Sequence, residues 1–414
     1  MNYISFLSRR GFLFAGLGVA GLSAAAKAAV AAPGSFGSVE HLLGGSKEVS
    51  VVYAWKNRKL ISDAPAIVKL SSKQLLCSVQ LWSRDETADQ IYGDNPCLIF
   101  SSCDDGESWT ELARLPFVTG KLLLLDGDVY LIGSGTGREG LWITKSSDAG
   151  RSWSKPRCIR EGQVYSASTG SIVHNNQFYW TADCQSKSQE PREIFVMAVD
   201  LRKDLLEPAN WRFSNLVRHP GVPQMLGDGE HDGGVWLEPN MVLANGQLKV
   251  IVRIRISTKK LAPSLPSIAA ICHLQDSDDA LHLEFEYYYP VPGAHNHFHV
   301  IYDDVSGLHW MTSNLVTGAA ENIYNGWGNE RRILMLHYST DGENWLPASP
   351  IAFAANALQA YNYCTPLIEG DDFLFVSRTS LHAKNQHDND RITFHRLPEF
   401  RTLALDISPR AQRQ

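Results

Sequence analysis

The amino-acid sequence predicts an all-β fold: one closed β-propeller of six four-stranded antiparallel blades. A nine-residue stretch, SSCDDGESW (101–109), returns 44 residues later as KSSDAGRSW (145–153), and a repeat of about 40–50 residues is typical of radial arrays of hairpins. Six apolar strand–turn–strand segments follow one another along the chain. No linker, low-complexity tract or charge block separates them, so we expect one large domain.

The repeated stretch predicts a tight turn between two strands. Both copies share the pattern S-x-D-x-G-x-x-W. An Asp side chain accepts hydrogen bonds from nearby backbone amides, and Gly adopts the positive φ that tight turns need. A third copy, YSTDGENW (338–345), is one residue shorter between Ser and Gly, and EPANW (207–211) is interpreted as an eroded copy.

Six hairpins are predicted to form the inner strands of the blades. Each is an apolar strand, a polar turn and a second apolar strand. They span 64–82, 120–135, 169–184, 235–254, 298–314 and 364–380. The segments 48–57 and 400–407 are predicted to be strands that close the ring, because a closed propeller leaves no long edge strand exposed. Assembling these two segments into a seventh blade is the alternative.

The first 31 residues are predicted to be an export signal. Paired Arg9 and Arg10 precede a mild apolar run, and Ala29-Val30-Ala31 fits a cleavage site. The run S-R-R-x-F-L resembles a twin-arginine signal, with an ordinary secretory signal as the alternative. Residues 32–44 are predicted to be a linker, 45–407 the propeller and 408–414 a tail. We therefore expect a periplasmic or secreted protein, without a membrane span in its mature form.

Composition narrows the classes of partner. The formal net charge is −6, whereas nucleic-acid binding needs a basic surface. Seven cysteines without a C-x-x-C pair indicate neither a disulfide framework nor a thiolate zinc site. We expect no nucleic-acid partner and no required cofactor. The sequence makes no prediction of oligomeric state.

Propeller topology predicts where the chemistry lies. The loops that enter the innermost strands and the loops after the second strands open on one face, around the axis. One such region, 377–396, carries Arg378, His387, Asp388 and Asn389. A His beside a carboxylate serves as a general acid or base near neutral pH, and a simple polar turn is the alternative.

A second cluster, EHDGGVWLEPN (230–240), brings His231, Trp236 and Glu238 to the start of an inner strand. Trp236 and Glu238 alternate along that strand and so share one face. Glu238 fits acid–base chemistry or hydroxyl binding. The alternative is a structural ion pair between Glu238 and an arginine.

A third cluster, AHNHFHV (294–300), spaces three histidines by two. On a strand, His295, His297 and His299 would point the same way and hold a divalent metal, Zn²⁺ or Ca²⁺. The alternative is a strand with scattered polar histidines.

Arginines and aromatic residues complete the predicted site. A guanidinium is the preferred fork for a carboxylate, so converging arginines would indicate an acidic sugar. The arginines near the active face are Arg84, Arg138, Arg253, Arg255, Arg331, Arg332 and Arg378. The phenols at the entries of inner strands are Tyr165, Tyr361 and Tyr363, and the candidates for stacking on a sugar are Trp236 and Trp327.

Several runs of the chain resemble a broad group of exported bacterial proteins with a sialidase-like propeller, the BNR-repeat proteins. These runs are GTGREGLWITKSSDAGRSW, GGVWLEPNMVLANGQLKVIVRI, FHVIYDDVSGLHWMTSN, RRILMLHYSTDGENW and NQHDNDRITFHRLPEFR. The repeated turn is similar to the Asp-box of sialidases, which implies a structural turn on the face opposite the active site. The resemblance covers most of residues 64–406. Relatives of this pattern include polysaccharide lyases of the ulvan-lyase and rhamnose–glucuronate-lyase types.

Departures from these families bear on the reaction. Sialidases carry Arg-Ile-Pro before the first Asp-box, whereas ARLP (113–116) follows that box here, so no motif identifies the arginine triad. The lyase-like pattern has Lys-Phe where this chain has His297-Phe298. It also has a polar residue such as His at the third inner strand, where this chain has YSASTG (165–170).

The predicted function is cleavage of an acidic, uronate-containing poly- or oligosaccharide by β-elimination. A lyase must neutralise the uronate carboxylate, remove the neighbouring proton and protonate the leaving oxygen. The catalytic candidates are His387, Tyr361, Arg378, Arg253, Arg332, Tyr165, Glu238 and His231, and the substrate-binding candidates are Arg138, Asn389, Asp388, Trp236 and Trp327. The first alternative is a sialidase-like exo-glycoside hydrolase with Tyr361 as its nucleophile. The second is a non-catalytic glycan-binding propeller.

Overall fold

The structure of the protein, a computed structural model, describes residues 46–55, 60–83, 96–185, 192–221, 235–255, 267–277, 280–316, 330–354 and 356–405. The predicted signal (1–31), linker (32–44) and tail (408–414) lie outside these residues. The described chain consists of β-strands, short 3-10 helices and loops, without an α-helix. No helix in this part of the chain is long and apolar enough to cross a membrane.

The first strand, β1 (Lys47–Ala54), precedes blade 1 in the chain but pairs with the last blade. Blade 1 contains β2 (Leu60–Lys69), β3 (Leu75–Ser83), β4 (Cys97–Ser102) and β5 (Thr110–Leu115). Blade 2 contains β6 (Lys121–Leu125), β7 (Asp128–Ser134), β8 (Glu139–Ser146) and β9 (Arg157–Tyr165). Blade 3 contains β10 (Ile172–His174), β11 (Gln177–Cys184), β12 (Glu193–Asp200), β13 (Trp211–Phe213) and β14 (Val217–Arg218).

The second half of the chain repeats this order. Blade 4 contains β15 (Val235–Ala244), β16 (Gln247–Arg255), β17 (Ile268–Ser277) and β18 (Ala280–Pro290). Blade 5 contains β19 (His299–Asp303), β20 (Leu308–Asn314), β21 (Ile333–Ser339) and β22 (Leu346–Phe353). Blade 6 contains β23 (Ala360–Glu369), β24 (Asp372–Ser380), β25 (Arg391–Leu397) and then β1. Short 3-10 helices span Thr136–Arg138, Pro208–Asn210 and Phe400–Leu403.

These sheets confirm the predicted all-β propeller with six blades. Each predicted hairpin corresponds to the first two strands of one blade. Blades 2 and 3 are joined at one edge, because the end of β9 pairs with the end of β11, where Tyr165 lies opposite Asp183.

The ring is closed by β1, which runs antiparallel to β25 with Tyr53 opposite Ile392. Blade 6 therefore takes its outer strand from the other end of the chain, which leaves β25 no free edge. The prediction of a second closing strand at 400–407 is wrong. Phe400 begins a 3-10 helix there, and its fully buried ring packs on Trp310 of blade 5 and Phe373 of blade 6.

The hydrophobic core is divided into six clusters, one at each interface between neighbouring blades. Large aromatic side chains anchor these clusters: Trp180 between blades 2 and 3, Trp236 between blades 3 and 4, and Trp310 between blades 5 and 6 are fully buried. Because each blade buries both of its faces against its neighbours, the ring is stabilised by packing all the way round.

The first repeated turn attaches blade 1 to blade 6. Ser102 Oγ accepts a hydrogen bond from the backbone N–H of Gly106 at 2.8 Å. Gly106 has a φ of 90°, and a Cβ at this position would lie 2.1 Å from the Phe394 ring of blade 6. On the same blade, Trp109 donates from Nε1 to Ser50 Oγ of β1 at 2.9 Å. Gly is needed for its backbone conformation and for this close approach.

The other two copies make the same kind of contact. Gly150 of blade 2 faces Leu76 of blade 1, and Gly342 of blade 5 faces Ala244 of blade 4. Each turn thus packs against the preceding blade. The segment 207–211 does not repeat these contacts: Glu207 accepts from the N–H of Ala209 at 3.3 Å and caps a short 3-10 helix. Its Trp211 is nevertheless buried between blades 2 and 3, in the position that the Trp of each full copy takes in its own blade, which fits its interpretation as an eroded copy.

Candidate active site

Three inner strands carry the same irregularity near one end. In β2, β15 and β23 the pairing register shifts between Asp63 and Ala66, between Leu237 and Asn240, and between Asn362 and Thr365. One residue inside each shift has a positive φ: Ala64 (25°), Glu238 (48°) and Tyr363 (47°). Such a bulge redirects side chains away from the normal alternation of a strand. Strained backbone of this kind is found at functional sites.

Two of the bulges bring together Glu238 of blade 4 and Tyr363 of blade 6. The Tyr363 hydroxyl donates a hydrogen bond of 2.5 Å to Glu238 Oε1. Arg253 donates from Nη1 to Glu238 Oε2 at 2.6 Å, and the same nitrogen lies 3.3 Å from the Tyr363 oxygen. The Glu238 side chain is 12% exposed. The phenol therefore donates a hydrogen bond to a carboxylate that a guanidinium holds in place.

The electrostatics of this pair follow from its burial and its neighbours. Burial, with a further contribution from Glu238, raises the pKa of Tyr363 to about 12. Burial alone would also raise the pKa of Glu238, but Arg253, His297 and the hydrogen bond from Tyr363 lower it to about 2. At neutral pH the site therefore pairs a protonated phenol with an ionised carboxylate.

Three arginines from blades 4, 5 and 6 surround Tyr363. Arg253 reaches its hydroxyl, while the guanidinium carbons of Arg378 and Arg331 lie 4.8 Å and 5.7 Å from its ring centroid. All three side chains belong to residues that are at most 5% exposed. Arg378 pairs with Asp63 Oδ1 of blade 1 at 2.5 Å.

Arg331 differs from the other two because, among the described residues, no carboxylate pairs with it. Its Nη1 donates to Asn362 Oδ1 at 3.1 Å, and its buried Nε has no hydrogen-bond partner in this part of the chain. Burial lowers the pKa of Arg331 to about 10, so it stays cationic at neutral pH. A buried cation without a counter-ion is costly, and an anionic ligand would remove that cost.

His297 forms a wall of the site. Its ring stacks on the Tyr363 ring with centroids 4.4 Å apart and an interplanar angle of 17°. Its Nε2 donates to the Ser168 carbonyl at 3.2 Å, and His299 donates from Nδ1 to the same oxygen at 3.1 Å. Burial lowers the pKa of His297 to about 4, so the ring is a neutral platform at neutral pH.

A second layer of charged residues extends from Glu238 across blades 3 and 2. Asp183 accepts from the backbone N–H of Glu238 at 3.3 Å and from Arg192 Nη1 at 2.6 Å. The guanidinium of Arg192 lies 3.8 Å from the Tyr165 ring centroid, and that of Arg138 lies 4.3 Å from it. Tyr165 and Arg138, both predicted for the site, thus lie on the active face beside Glu238, with the Tyr165 ring between two cations.

Several predicted residues do not reach the Tyr363–Glu238 pair. Tyr361 is 2% exposed and packs in the core between blades 5 and 6, because the bulge after it turns Tyr363, not Tyr361, toward the axis. Trp236 is fully buried and cannot stack on a sugar. Arg332 donates from Nε to Glu330 Oε1 at 2.9 Å, so its neighbour Arg331 is the residue that joins the cluster.

The loop after β24 has a supporting role. His387 is 42% exposed, and its Nδ1 lies 3.1 Å from Asp388 Oδ1. Asp388 and Asn389 are buried and bond within the loop, to Asn385 Nδ2 and to the His387 carbonyl respectively. That same carbonyl accepts from Arg378 Nη2. The loop thus positions Arg378, and the prediction that Asp388 and Asn389 contact substrate is wrong.

The predicted histidine metal site does not form as expected. The strand begins only at His299, so the alternation that would align the three rings is missing. His295 Nδ1 faces Ser267 Oγ at 3.2 Å, whereas His297 and His299 both face Ser168. Within the described residues no group of three or more His, Cys, Asp or Glu side chains is arranged to hold a metal ion.

Other predictions cannot be placed. His231 and Trp327, as well as Arg84, lie outside the described residues. Sequence reasoning missed Asp63, and it named Tyr363 among the candidate phenols but chose Tyr361 as the nucleophile. A signal for two of the bulges is present, because Pro65 and Pro239 interrupt predicted inner strands, and proline inside a sheet is confined to edges and bulges. Tyr363 is followed by Cys364 and carries no such signal.

Comparisons with known proteins establish the fold. No family model matches the chain, and no curated protein matches it. A protein of unknown function from Dyadobacter fermentans has a similar solved structure, with a TM-score of 0.54 and 12% identity over 86% of this chain and 100% of that one. An α-L-arabinanase of Penicillium chrysogenum, complexed with arabinobiose, has a TM-score of 0.51 and 11% identity. The match covers 86% of this chain and 98% of the arabinanase. A Trypanosoma rangeli sialidase in complex with sialic acid has a TM-score of 0.52 and 13% identity. The match covers 90% of this chain and 60% of the sialidase. The chain therefore has the sialidase-like propeller fold.

Proposed function

We propose that this protein is a glycoside hydrolase that cleaves next to a carboxylate-bearing sugar, with Tyr363 as its nucleophile and Glu238 as the base that activates it. The observation that carries the proposal is the 2.5 Å hydrogen bond from Tyr363 to Glu238 inside a cluster of three arginines. Two propellers of similar fold are seen in complex with sugars, arabinobiose and sialic acid, which supports a glycan substrate.

In the first step, the Tyr363 oxygen attacks the anomeric carbon and its proton passes to Glu238 Oε1, while the bond to the leaving oxygen breaks. A tyrosine suits a substrate with a carboxylate near the anomeric carbon, because a neutral phenol approaches without the repulsion that a carboxylate nucleophile would meet. The leaving oxygen takes its proton from a second carboxylic acid of the site. Water then attacks the glycosyl–tyrosine intermediate and gives one proton to the carboxylate that this acid has left, while Glu238 returns its proton to the phenol.

The substrate carboxylate is assigned to the arginine cluster. Arg253 and Arg378 already hold Glu238 and Asp63, respectively. Arg331, with no carboxylate partner among the described residues, is the cation that a substrate would pair with.

This geometry supports a hydrolase over a lyase. The His387 ring, which the lyase hypothesis needs as a base, faces Asp388 and lies 6.0 Å edge-on from Trp82. Tyr363, in contrast, has its proton acceptor in place. The lyase remains a measurable alternative, since β-elimination yields an unsaturated uronate that absorbs ultraviolet light and a hydrolase does not.

The test uses aryl glycosides of N-acetylneuraminic acid, glucuronic acid and the neutral sugar L-arabinofuranose. We expect release of the aryl alcohol from an acidic glycoside and a loss of kcat of at least about 10³-fold in Tyr363→Phe. Tyr361→Phe is the matched control, because it removes the same hydroxyl two positions away and should retain activity. Full activity of Tyr363→Phe, or an ultraviolet-absorbing product from a uronate polymer, would overturn the proposal.

Asp63, whose side chain is 17% exposed, is assigned as the acid that protonates the leaving oxygen; to do so it must carry a proton in place of its ion pair with Arg378. In Asp63→Asn we expect cleavage of an alkyl glycoside to slow by about 10²-fold or more, with a much smaller effect on an activated aryl glycoside that needs no proton. Initial rates on the two substrates give the ratio. Equal slowing on both substrates would assign Asp63 to holding Arg378 instead.

A further inference from the structure

A polar cavity, partly open to solvent, lies between the inner strands beyond the bulges, along the axis of the ring. Its volume is about 100 Å³. Five of the six blades contribute to its wall, and the residues that bear on its chemistry are Ala66, Lys121, Ser168, Ser171, His299 and Thr365. Because Ala66 and Thr365 are the residues that end two of the bulges, the cavity lies directly next to the strained backbone of the candidate active site.

Lys121 brings to this cavity an amino group that is positively charged below about pH 7. The residue is 8% exposed, and its Nζ donates to the Thr169 carbonyl at 2.8 Å. In the described part of the chain no carboxylate pairs with it. Lys249, which is 7% exposed, shows the usual arrangement: its Nζ lies 2.6 Å from Glu343 and 3.3 Å from Glu286. A buried ammonium without a counter-ion is costly.

The other polar groups of the cavity also favour an anion. The hydroxyl of Ser168 is buried and has no hydrogen-bond partner among the described residues. His299 uses Nδ1 to donate to the Ser168 carbonyl, and burial together with Lys121 lowers its pKa. Burial lowers the pKa of Lys121 itself to about 7, which is the response of an ammonium that lacks a counter-charge. Below that pH the ammonium of Lys121 would repel a metal cation.

We propose that this axial cavity binds a small monovalent anion, such as chloride, between the ammonium of Lys121 and the hydroxyl of Ser168. The volume of about 100 Å³ is well above the ~10–15 Å³ that one water molecule needs, so a halide or a formate-sized carboxylate fits. The bound anion would also support the active site, because the Ser168 carbonyl holds both His299 and the His297 ring that stacks on Tyr363. The proposal does not depend on the reaction proposed above.

The test is the thermal unfolding of the full chain in sodium chloride and in sodium HEPES at equal ionic strength, since the HEPES anion is too large for the cavity. We expect chloride to raise Tm by about 2 °C and Lys121→Met to abolish this increase. Lys145→Met is the matched control, because it removes a lysine of the same blade that pairs with Asp128 instead. It should retain the chloride effect. No chloride effect in the wild type, or an unchanged effect in Lys121→Met, would overturn the proposal.

Two further measurements cover the case in which Lys121→Met does not fold. The chloride NMR line width of the wild type should broaden through exchange with the site, and Ser168→Ala should weaken the broadening. Arg331→Lys should not weaken it, which separates this cavity from the arginine cluster. Sodium formate in place of chloride shows whether the site also accepts small carboxylates. Broadening that is absent, or that disappears in Arg331→Lys but persists in Ser168→Ala, would contradict the inference.

Discussion

At the scale of single residues, the Tyr363–Glu238 pair links the chemistry of the site to its stability. Arg253 and Tyr363 together satisfy both oxygens of Glu238. The ionised form of Glu238 is therefore favoured in the folded protein, where its pKa is about 2, compared with about 4.3 in an unfolded chain. A carboxyl group with a depressed pKa stabilises the fold above its unfolded pKa, and this contribution is lost as the pH falls toward the folded value.

We therefore expect the free energy of unfolding of the wild type to fall between about pH 4.3 and pH 2 more steeply than that of Glu238→Gln. The Gln side chain keeps the shape of Glu238 and does not titrate, so the difference between the two curves isolates this one group. Urea unfolding at a series of pH values measures both curves. Parallel curves would show that Glu238 is not held in its ionised form.

Single residues also show where sequence reasoning reached its limit. Glu238, Arg253 and Arg378 were predicted for the site because charged groups at the ends of inner strands face the axis. Tyr361 and Tyr363 are two apart and would share one face of a regular strand, so the pattern cannot choose between them. The bulge at Tyr363 determines that Tyr363, and not Tyr361, faces the site. No pattern in the sequence indicates a positive φ at a tyrosine.

At the scale of elements, the repeated turn connects one blade to the next. Its pattern in the sequence predicted the turn itself, because Ser, Asp and Gly satisfy local hydrogen bonds. The contact across the interface could not be predicted in the same way, since Phe394 lies in the last blade and Gly106 in the first. The close approach of the two is a property of the closed ring.

Gly106→Ala is expected to destabilise the fold by about 3 kcal/mol or more, because its Cβ would lie 2.1 Å from the Phe394 ring. Gly127→Ala is the matched control. Gly127 has a similar φ of 84°, but a methyl group added there would have no neighbouring atom within 4 Å, so only the backbone cost of about 1–2 kcal/mol should appear. Denaturant unfolding measures both variants, and equal losses would show that the turn does not attach blade 1 to blade 6.

At the scale of the whole molecule, ring closure assembles the site from distant parts of the chain. The hairpin pattern predicted six blades and the closing role of the first strand, because each hairpin repeats one local unit. The convergence of Asp63, Glu238 and Tyr363 depends on the radius of the ring and on three bulges. Neither is a local property, so the sequence predicted which face carries the site but not which side chains meet there.

Closure by β1 can be tested by truncation. A chain that begins at Ser46 keeps every described strand and should retain the Tm of the mature protein. A chain that begins at Leu60 lacks β1, so β25 becomes an exposed edge and the cluster between blades 6 and 1 loses Val52 and Tyr53. We expect a loss of several degrees in Tm and concentration-dependent aggregation, as measured by calorimetry and light scattering. Identical melting of the two chains would show that β1 is not needed for closure.

The pairing of β1 with β25 also determines when the ring can close during synthesis. Tyr53 and Ile392 are partners, yet the ribosome makes the second roughly 340 residues after the first, a delay of roughly 20–70 s at ~5–20 residues per second. During that interval five blades can stack in order, while β1 waits without a partner and exposes Val52 and Tyr53, which are buried in the finished ring. We therefore expect the last blade to complete the fold, and β1 to be a segment that a chaperone would shield until β25 has been made.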